Sequence, residues 1–411
     1  MKKVLLVVAL MPLMVFAESE TIDNVEWTYS VTNGSALVNR ASPAKGVLTI
    51  PSSLGGFPVT RIAKGAFMDC REVKRVTIPS SVTSLEERAF AYCRELMSVT
   101  MSEGLMNIGV FAFEGCSALT SLTLPSSVTS LAGDAFAACD ELTNIVVKSG
   151  GAYYCSVDGI LYNAVRTKLI CCPKRKKGDV TIPLGVTDLE KYVFAGCREL
   201  TRVTIPSSVT SIDEDAFWNC DELMEIEVEG SNAFYCSVHG SLYNKVRTKL
   251  IHCPKKVKGD VIIPLGLTSI EKKMYTWRGG LKSLTIPSSV TNIGAYAFLG
   301  CDEITNIVVE SKSMYYCSTN GVLYNKAMTE LVYCSKGKTG DFAIPSSVMR
   351  IGEGAFEGCR GLTGVTLPSS VRSIGKGAFW CCSGLKSLTI PSSVTNIGAY
   401  AFLGCDELKT H

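Results

Sequence analysis

The sequence predicts an α/β solenoid: a stack of short coils held together by a parallel β ladder. Three observations predict it. A short apolar strand closing in T-I-P or T-L-P recurs along the chain. The residues that follow it are Pro51, Pro79, Ser102, Pro125, Lys148, Pro183, Pro206, Glu229, Pro264, Pro287, Glu310, Pro345, Pro368 and Pro391. From Pro125 onward the step is 23 residues, lengthened to 35 after Lys148, Glu229 and Glu310. The run from Leu281 to Glu303 also returns letter for letter from Leu385 to Glu407. A fixed period of this size marks a repeat architecture, and this one counts about fourteen coils, three of them long.

One coil shows how the elements arise. In L-T-S-L-T-L-P-S-S-V-T-S-L-A-G-D-A-F-A-A-C, Leu122 and Leu124 alternate with Ser121 and Thr123. That period of two gives a half-buried strand. Pro125 stops the strand because it has no N–H for the next rung. Val128 and Leu131 bring the chain back to the core. Ala135, Phe136 and Cys139 then form either a tight turn or one helical turn on the outer side. So short a unit cannot bury these groups alone. Stacking neighbours at the ~4.8 Å strand spacing buries them.

The long coils carry a second module, read as a two-strand hairpin. In the first copy I-L-Y-N and K-L-I form its strands, joined at Asn163–Arg166. One coil departs from the pattern: Met274, Tyr275 and Arg278 stand where Ala, Phe and Cys are usual, and a local bulge is expected there.

The pattern L-x-x-[LVI]-x-[LI]-P-S-S-V-x-x-I-x-x-x-A-F-x-x-C resembles the BspA-like leucine-rich-repeat family over roughly residues 45–408. The resemblance implies a leucine-rich-repeat horseshoe with hairpin insertions as scaffold. It also implies a non-enzymatic surface protein that adheres to host matrix proteins, host cells or other microbes.

The ends of the chain give the domain plan. Lys2 and Lys3 precede an apolar run from Val4 to Phe16, with Val15 and Ala17 as small residues before a cleavage point. Residues 1–17 read as a secretory signal peptide, and a secreted or cell-surface location is expected. No later run is apolar enough to cross a membrane as a helix. Residues 18–45, with Trp27, read as an N-terminal cap, and 46–411 as the solenoid. No cap is visible after the last coil, so truncation or self-association there is expected.

Composition narrows the function. Net charge is +3 and charged residues make up 19 % of the chain, too mild a balance to imply nucleic acid. The 18 cysteines divide by position. Ten recur at one coil position and read as small buried hydrophobes; disulfides between adjacent coils are the alternative. Three pairs in the long coils, Cys155 with Cys172, Cys236 with Cys253 and Cys317 with Cys334, are candidate disulfides in an exported chain. There is no C-x-x-C and there are three histidines, so neither a metal site nor a cofactor is expected. No nucleophile, base and orienter gather in the pattern, and there is no G-x-S-x-G; an enzyme is not expected.

Surface remains. The outward positions of the strands form a small-polar stripe that includes Arg75, Thr77, Thr123, Asp179, Thr181, Arg202, Thr204 and Thr285. A basic row closes the long coils: Lys174, Arg175, Lys176 and Lys177, then Lys255, Lys256 and Lys258, then Lys336 and Lys338. Tyrosines accompany it. The stripe suits a protein partner. The basic and tyrosine rows suit a glycan, and uncapped coils suit a self-stacking envelope component. Good β propensity and ordinary solvated loops explain the same residues without any ligand.

Overall fold

The computed structural model describes residues 17–272, 274–275 and 279–408. Contacts divide the chain into two units, Met1–Lys176 and Lys177–His411. A strand lies just ahead of each of the fourteen signature positions, from Gly46–Thr49 to Ser387–Thr389. The chain winds as a parallel β-solenoid of about 16 turns. Equivalent residues face each other across the ladder: Thr77 lies opposite Thr100 in the first unit, and Thr204 opposite Glu227 in the second. Val76, Ile78, Val203 and Ile205 point inward and are buried.

At the end of each strand proline supplies a carbonyl but no N–H. The Val82 N–H donates to Pro79 O at 3.2 Å, and the Val290 N–H to Pro287 O at 3.2 Å. This turn sets up a second parallel ladder of two-residue strands, such as Ser84–Leu85, Asn107–Ile108 and Ser130–Leu131.

The α/β label needs correction, because no α-helix occurs among the described residues. The outer A-F-x-x-C segment is a chain of turns closed by i→i+3 bonds, such as the Cys70 N–H to Phe67 O at 3.2 Å. Left-handed residues sit on both sides of its core. They are Arg88 (φ 55°) and Tyr92 (φ 60°) in one coil, and Phe111 (φ 56°) and Gly115 (φ 67°) in the next. A helix needs consecutive right-handed residues, so propagation stops within one turn.

The phenylalanine of each turn stacks on its successor. In the first unit Phe67, Phe90, Phe113 and Phe136 follow one another at 4.9, 5.5 and 6.0 Å. In the second, Phe356, Phe379 and Phe402 do so at 4.7 and 5.5 Å. Each such side chain, once buried, contributes about 1.5–3 kcal/mol. Tyr275 takes the phenylalanine place in its coil, buried and 6.2 Å from Phe298, so no bulge forms at that residue. Arg278 lies outside the described residues.

The expected leader also lies outside them, except for Ala17, which begins the strand Ala17–Ile22. That strand pairs antiparallel with Val25–Thr32, which pairs with Ser35–Ser42. Ser35–Ser42 then runs parallel to Phe57–Ile62. Trp27 is buried edge-on against Phe67 at 6.3 Å.

The long coils differ from expectation. Each holds a three-strand meander rather than a hairpin, for example Tyr154–Val157, Ile160–Asn163 and Leu169–Cys171. The extra turn is Asp158–Gly159, and in the other copies His239–Gly240 and Asn320–Gly321, with φ positive at both residues each time. Left-handed conformation at both central positions is what a tight hairpin turn requires. In the last copy the third strand rejoins the second ladder: Glu330–Cys334 pairs parallel with Arg350–Ile351.

Candidate binding surfaces

The strand face is the first surface. The residues picked out along it, Arg75, Thr77, Thr123, Asp179, Thr181, Arg202, Thr204 and Thr285, are all exposed or half-buried. In the second unit Arg202 lies 2.9 Å from Glu225, 3.7 Å from Glu227 and 4.0 Å from Asp179. Two apolar residues stand on this unit's strand face, Ile262 (52 % exposed) and Val308 (42 %). They flank Thr285 in register. Sequence reasoning followed the threonines and missed them; the signal was a branched aliphatic residue at an outward position.

The basic row is largely neutralised. Arg175 meets Glu141 at 3.3 Å, and the Lys176 ammonium donates to Asp158 O at 2.6 Å. Lys177 pairs with Glu199 at 2.9 Å, Lys255 with Asp221 at 2.5 Å and Lys256 with Glu222 at 3.2 Å. Lys336 pairs with Asp302 at 2.7 Å and Glu357 at 3.0 Å, its side chain 4 % exposed. The acids come mainly from the C-D-E-L segment that ends an outer turn, which the lysines reach from roughly one long coil further on. Lys174 is half-buried, and Lys258 is exposed.

The tyrosines separate by role. Tyr162, Tyr243 and Tyr324 are in the core. Tyr154, Tyr235 and Tyr316 each accept a backbone N–H from the second ladder through the phenol oxygen. The donors are Leu131, Ile212 and Ile293, at 2.9, 3.0 and 3.0 Å. The exposed aromatics are Tyr153, Phe234 and Tyr315, each just over half exposed.

Among the described residues no disulfide is formed. The expected pairing within each long coil is not formed, and strand order gives the reason. Cys155 lies on the first strand of its meander and Cys172 comes after the third, with Ile160–Asn163 between them. Two strand spacings are about 9.5 Å, beyond the ~7 Å Cα limit for a disulfide. The same order holds for Cys236 with Cys253 and for Cys317 with Cys334. The ladder cysteines donate across coils instead. Cys93 bonds Phe67 O at 3.1 Å, Cys116 bonds Phe90 O at 3.2 Å, and Cys382 bonds Phe356 O at 2.9 Å.

The outer turns hold a surface that the sequence reading passed over. Every long coil omits the A-F-x-x-C turn, which leaves a notch in the phenylalanine column. One side chain from the third strand fills it. His252 lies 5.4 Å from Phe217, and Tyr333 lies 5.1 Å from Phe298. Tyr296 (φ 56°) spans the second of these notches and donates its hydroxyl to Lys376 O at 2.8 Å. A Cβ added at Gly354 would lie 2.7 Å from the Tyr296 ring, so glycine keeps that path open. Tyr400, at the equivalent place in the duplicated run, is 66 % exposed. The legible signal was an aromatic residue where Gly65, Gly354 and Gly377 stand in other coils. Among the described residues, no group of three or more His, Cys, Asp and Glu could hold a metal ion. No helix there is long and apolar enough to cross a membrane.

Stacked coils, paired parallel ladders and an L-x-x-L-x-L-P core define a leucine-rich-repeat type of β-solenoid. The model of the BspA type leucine-rich-repeat region, in six copies, matches residues 56–156, 172–258, 253–336 and 326–411, and the chain belongs to that family. A leucine-rich cell surface protein of Faecalibacterium prausnitzii A2-165 has a similar structure. It is 23 % identical, with 93 % of this chain and 94 % of that one covered, at a TM-score of 0.55. A leucine-rich-repeat protein of Bacteroides ovatus is 23 % identical over 95 % and 93 % of the two chains, at 0.45. The pneumococcal vaccine antigen PcpA is 18 % identical over 92 % and 93 %, at 0.43. The first of these likenesses supports the fold. No curated protein matches the chain.

Proposed function

We propose that the chain is an exported, non-enzymatic surface protein that binds a protein partner through its strand face. The observation that carries this reading is the mixed character of that face in the second unit. Arg202 stands among three carboxylates, and Ile262 and Val308 are exposed along the same face. Charge that sets orientation beside apolar area that can be desolvated is what a protein interface uses. Membership of a leucine-rich-repeat family and likeness to a cell surface protein agree with it. Adhesion to host matrix or to other microbes is the biological form we infer. Residues 1–17 act in this reading as the export signal, and 18–45 as the cap over the first coil.

The glycan reading through the basic row has less support, because most of those cations already have carboxylate partners. The test is binding of residues 18–411 to arrays of matrix proteins and glycans, at low and physiological salt, with light scattering alongside. A saturable protein hit that survives salt is expected, and Arg202→Glu should weaken it about tenfold or more. Lys255→Ala with Lys256→Ala should leave it unchanged. A hit abolished by salt and by the lysine changes would move the function to the long coils. A blank array with growing particle size would leave self-stacking.

A further inference from the structure

The notch under Tyr296 is more than a gap in the core. It encloses a cavity of about 210 Å³ between the outer turn at Ile293–Leu299 and the one at Gly352–Glu357. Tyr333 lines it. That side chain is 5 % exposed, and its hydroxyl has no hydrogen-bond partner. An unpartnered buried hydroxyl costs about 1–3 kcal/mol, a cost that a hydrogen-bonding ligand in the cavity would remove. Glu353 and Arg350 also line the cavity, Arg350 held by Glu330 at 3.2 Å. Phe298 and Leu299 supply an apolar wall.

The lining excludes several ligand classes. Of the three glutamates that line it, Glu330 is paired with Arg350 and Glu357 with Lys336, which leaves the Glu353 carboxylate to disfavour an anion. The apolar wall disfavours a bare metal ion. A hydrocarbon would leave the Tyr333 phenol and the Glu353 carboxylate without a polar partner in the notch. What suits all of these groups is a ring that carries hydroxyls on its edge and C–H groups on its face. Outside the notch, Tyr296 also lines an open cleft of about 470 Å³ with Leu299, Trp380, Tyr400 and Leu403. Lys272 and Lys376 border it, and no carboxylate does among the described residues. A shelf of aromatic faces leading into a ring-sized polar notch is a shape for a short chain of rings.

We propose that this part of the second unit binds the end of a neutral oligosaccharide. The terminal sugar enters the notch against Tyr333, Glu353 and Arg350, and the remaining sugars lie on Trp380 and Tyr400. Tyr296 is the strap between the two parts. Its left-handed φ is the one this turn position takes in other coils, as at Phe111 and Tyr400, and the bond to Lys376 O fixes its ring across the notch. The site shares no residue with the strand face, so it stands or falls apart from the protein-binding reading.

The test is ligand-observed NMR on the full mature chain, with glucose, galactose, mannose, N-acetylglucosamine and their linear disaccharides as probes. At least one disaccharide should bind, with affinity on the order of millimolar, and more tightly than its monosaccharide. Tyr333→Phe and Glu353→Gln should each weaken binding about fivefold, as the loss of one hydrogen bond does. Trp380→Ala should weaken the disaccharide but not the monosaccharide. Tyr333→Phe should leave the melting temperature unchanged or raise it, because it deletes an unpartnered buried group. A panel with no binder overturns the proposal. So does binding that is indifferent to Tyr333→Phe and Glu353→Gln, which would leave trapped water as the content of the notch.

Discussion

The second serine of most P-S-S-V segments shows why the repeat keeps its spelling. Ser127 donates to Leu105 O at 2.8 Å, Ser208 to Val186 O at 2.7 Å, Ser289 to Leu267 O at 2.8 Å and Ser370 to Val348 O at 2.7 Å. The same oxygen accepts a glycine N–H in some coils, as from Gly104 at 3.0 Å and Gly185 at 3.1 Å. One hydroxyl therefore satisfies two groups of the preceding coil. Ser208→Ala should cost about 1–3 kcal/mol by urea denaturation, because the Gly185 N–H is left without this acceptor. The ladder thiols act the same way through a weaker donor. Burial pushes Cys139 up to about 12 and Cys70 up to about 11. A thiol whose pKa is raised on folding stabilises the fold while it is protonated, below the ordinary value of 9.0. That contribution is lost as pH climbs through the folded values. The urea midpoint should accordingly fall from about pH 9 to about pH 12. Brief alkylation at neutral pH should label half-buried Cys155, Cys236 and Cys317 ahead of buried Cys93, Cys116 and Cys359. Equal labelling of both groups would show that the coils open locally.

At the scale of elements, the meander of each long coil is fastened by one tyrosine. The second ladder loses its usual neighbour where the short coils give way to a long one. The phenol oxygens of Tyr154, Tyr235 and Tyr316 take over the N–H groups of Leu131, Ile212 and Ile293. Tyr235→Phe keeps the ring and removes the acceptor. It should destabilise the second unit by about 1–3 kcal/mol, with faster amide exchange at Ile212 as the direct sign. Unchanged exchange at that amide would mean that water replaces the phenol. The duplicated run makes the same point without mutation. Tyr296 and Tyr400 have the same neighbours in sequence, yet one is tied to Lys376 O and the other is largely exposed. The coils stacked beyond each copy decide its role.

For the molecule as a whole, each unit is a one-dimensional stack, and its stability is a sum over neighbouring coils. Phe356→Ala removes a buried ring stacked 4.7 Å from Phe379. It should cost about 3–5 kcal/mol, and amide exchange should rise chiefly in the coils on either side. A uniform rise across the second unit would instead make that unit fully cooperative. Much of this plan was legible in the sequence. Leu122 and Leu124 against Ser121 and Thr123 gave the strand, Pro125 its end, and the period its copies. The meander was less legible. Asp158–Gly159, His239–Gly240 and Asn320–Gly321 stood as turn signals in all three copies, but the strand ahead of them, Tyr154–Val157, alternates weakly and buries no residue fully. The pairing of the cysteines failed for the same reason, since Cys155 lies on that missed strand, with Ile160–Asn163 between it and Cys172.

The sequence by itself determined the repeat, the ladder and the family, because a stacked coil needs its apolar residues at fixed intervals and any slip would expose them. The tertiary structure decided what the surface has left to offer. It neutralised the basic row through acids about 34 residues away, and it placed Tyr296 within reach of Lys376, 80 positions along the chain. It also opened a notch where an outer turn is missing. Those outcomes depend on which side chains of different coils come within a few ångströms of one another, and the spelling of one coil does not contain that.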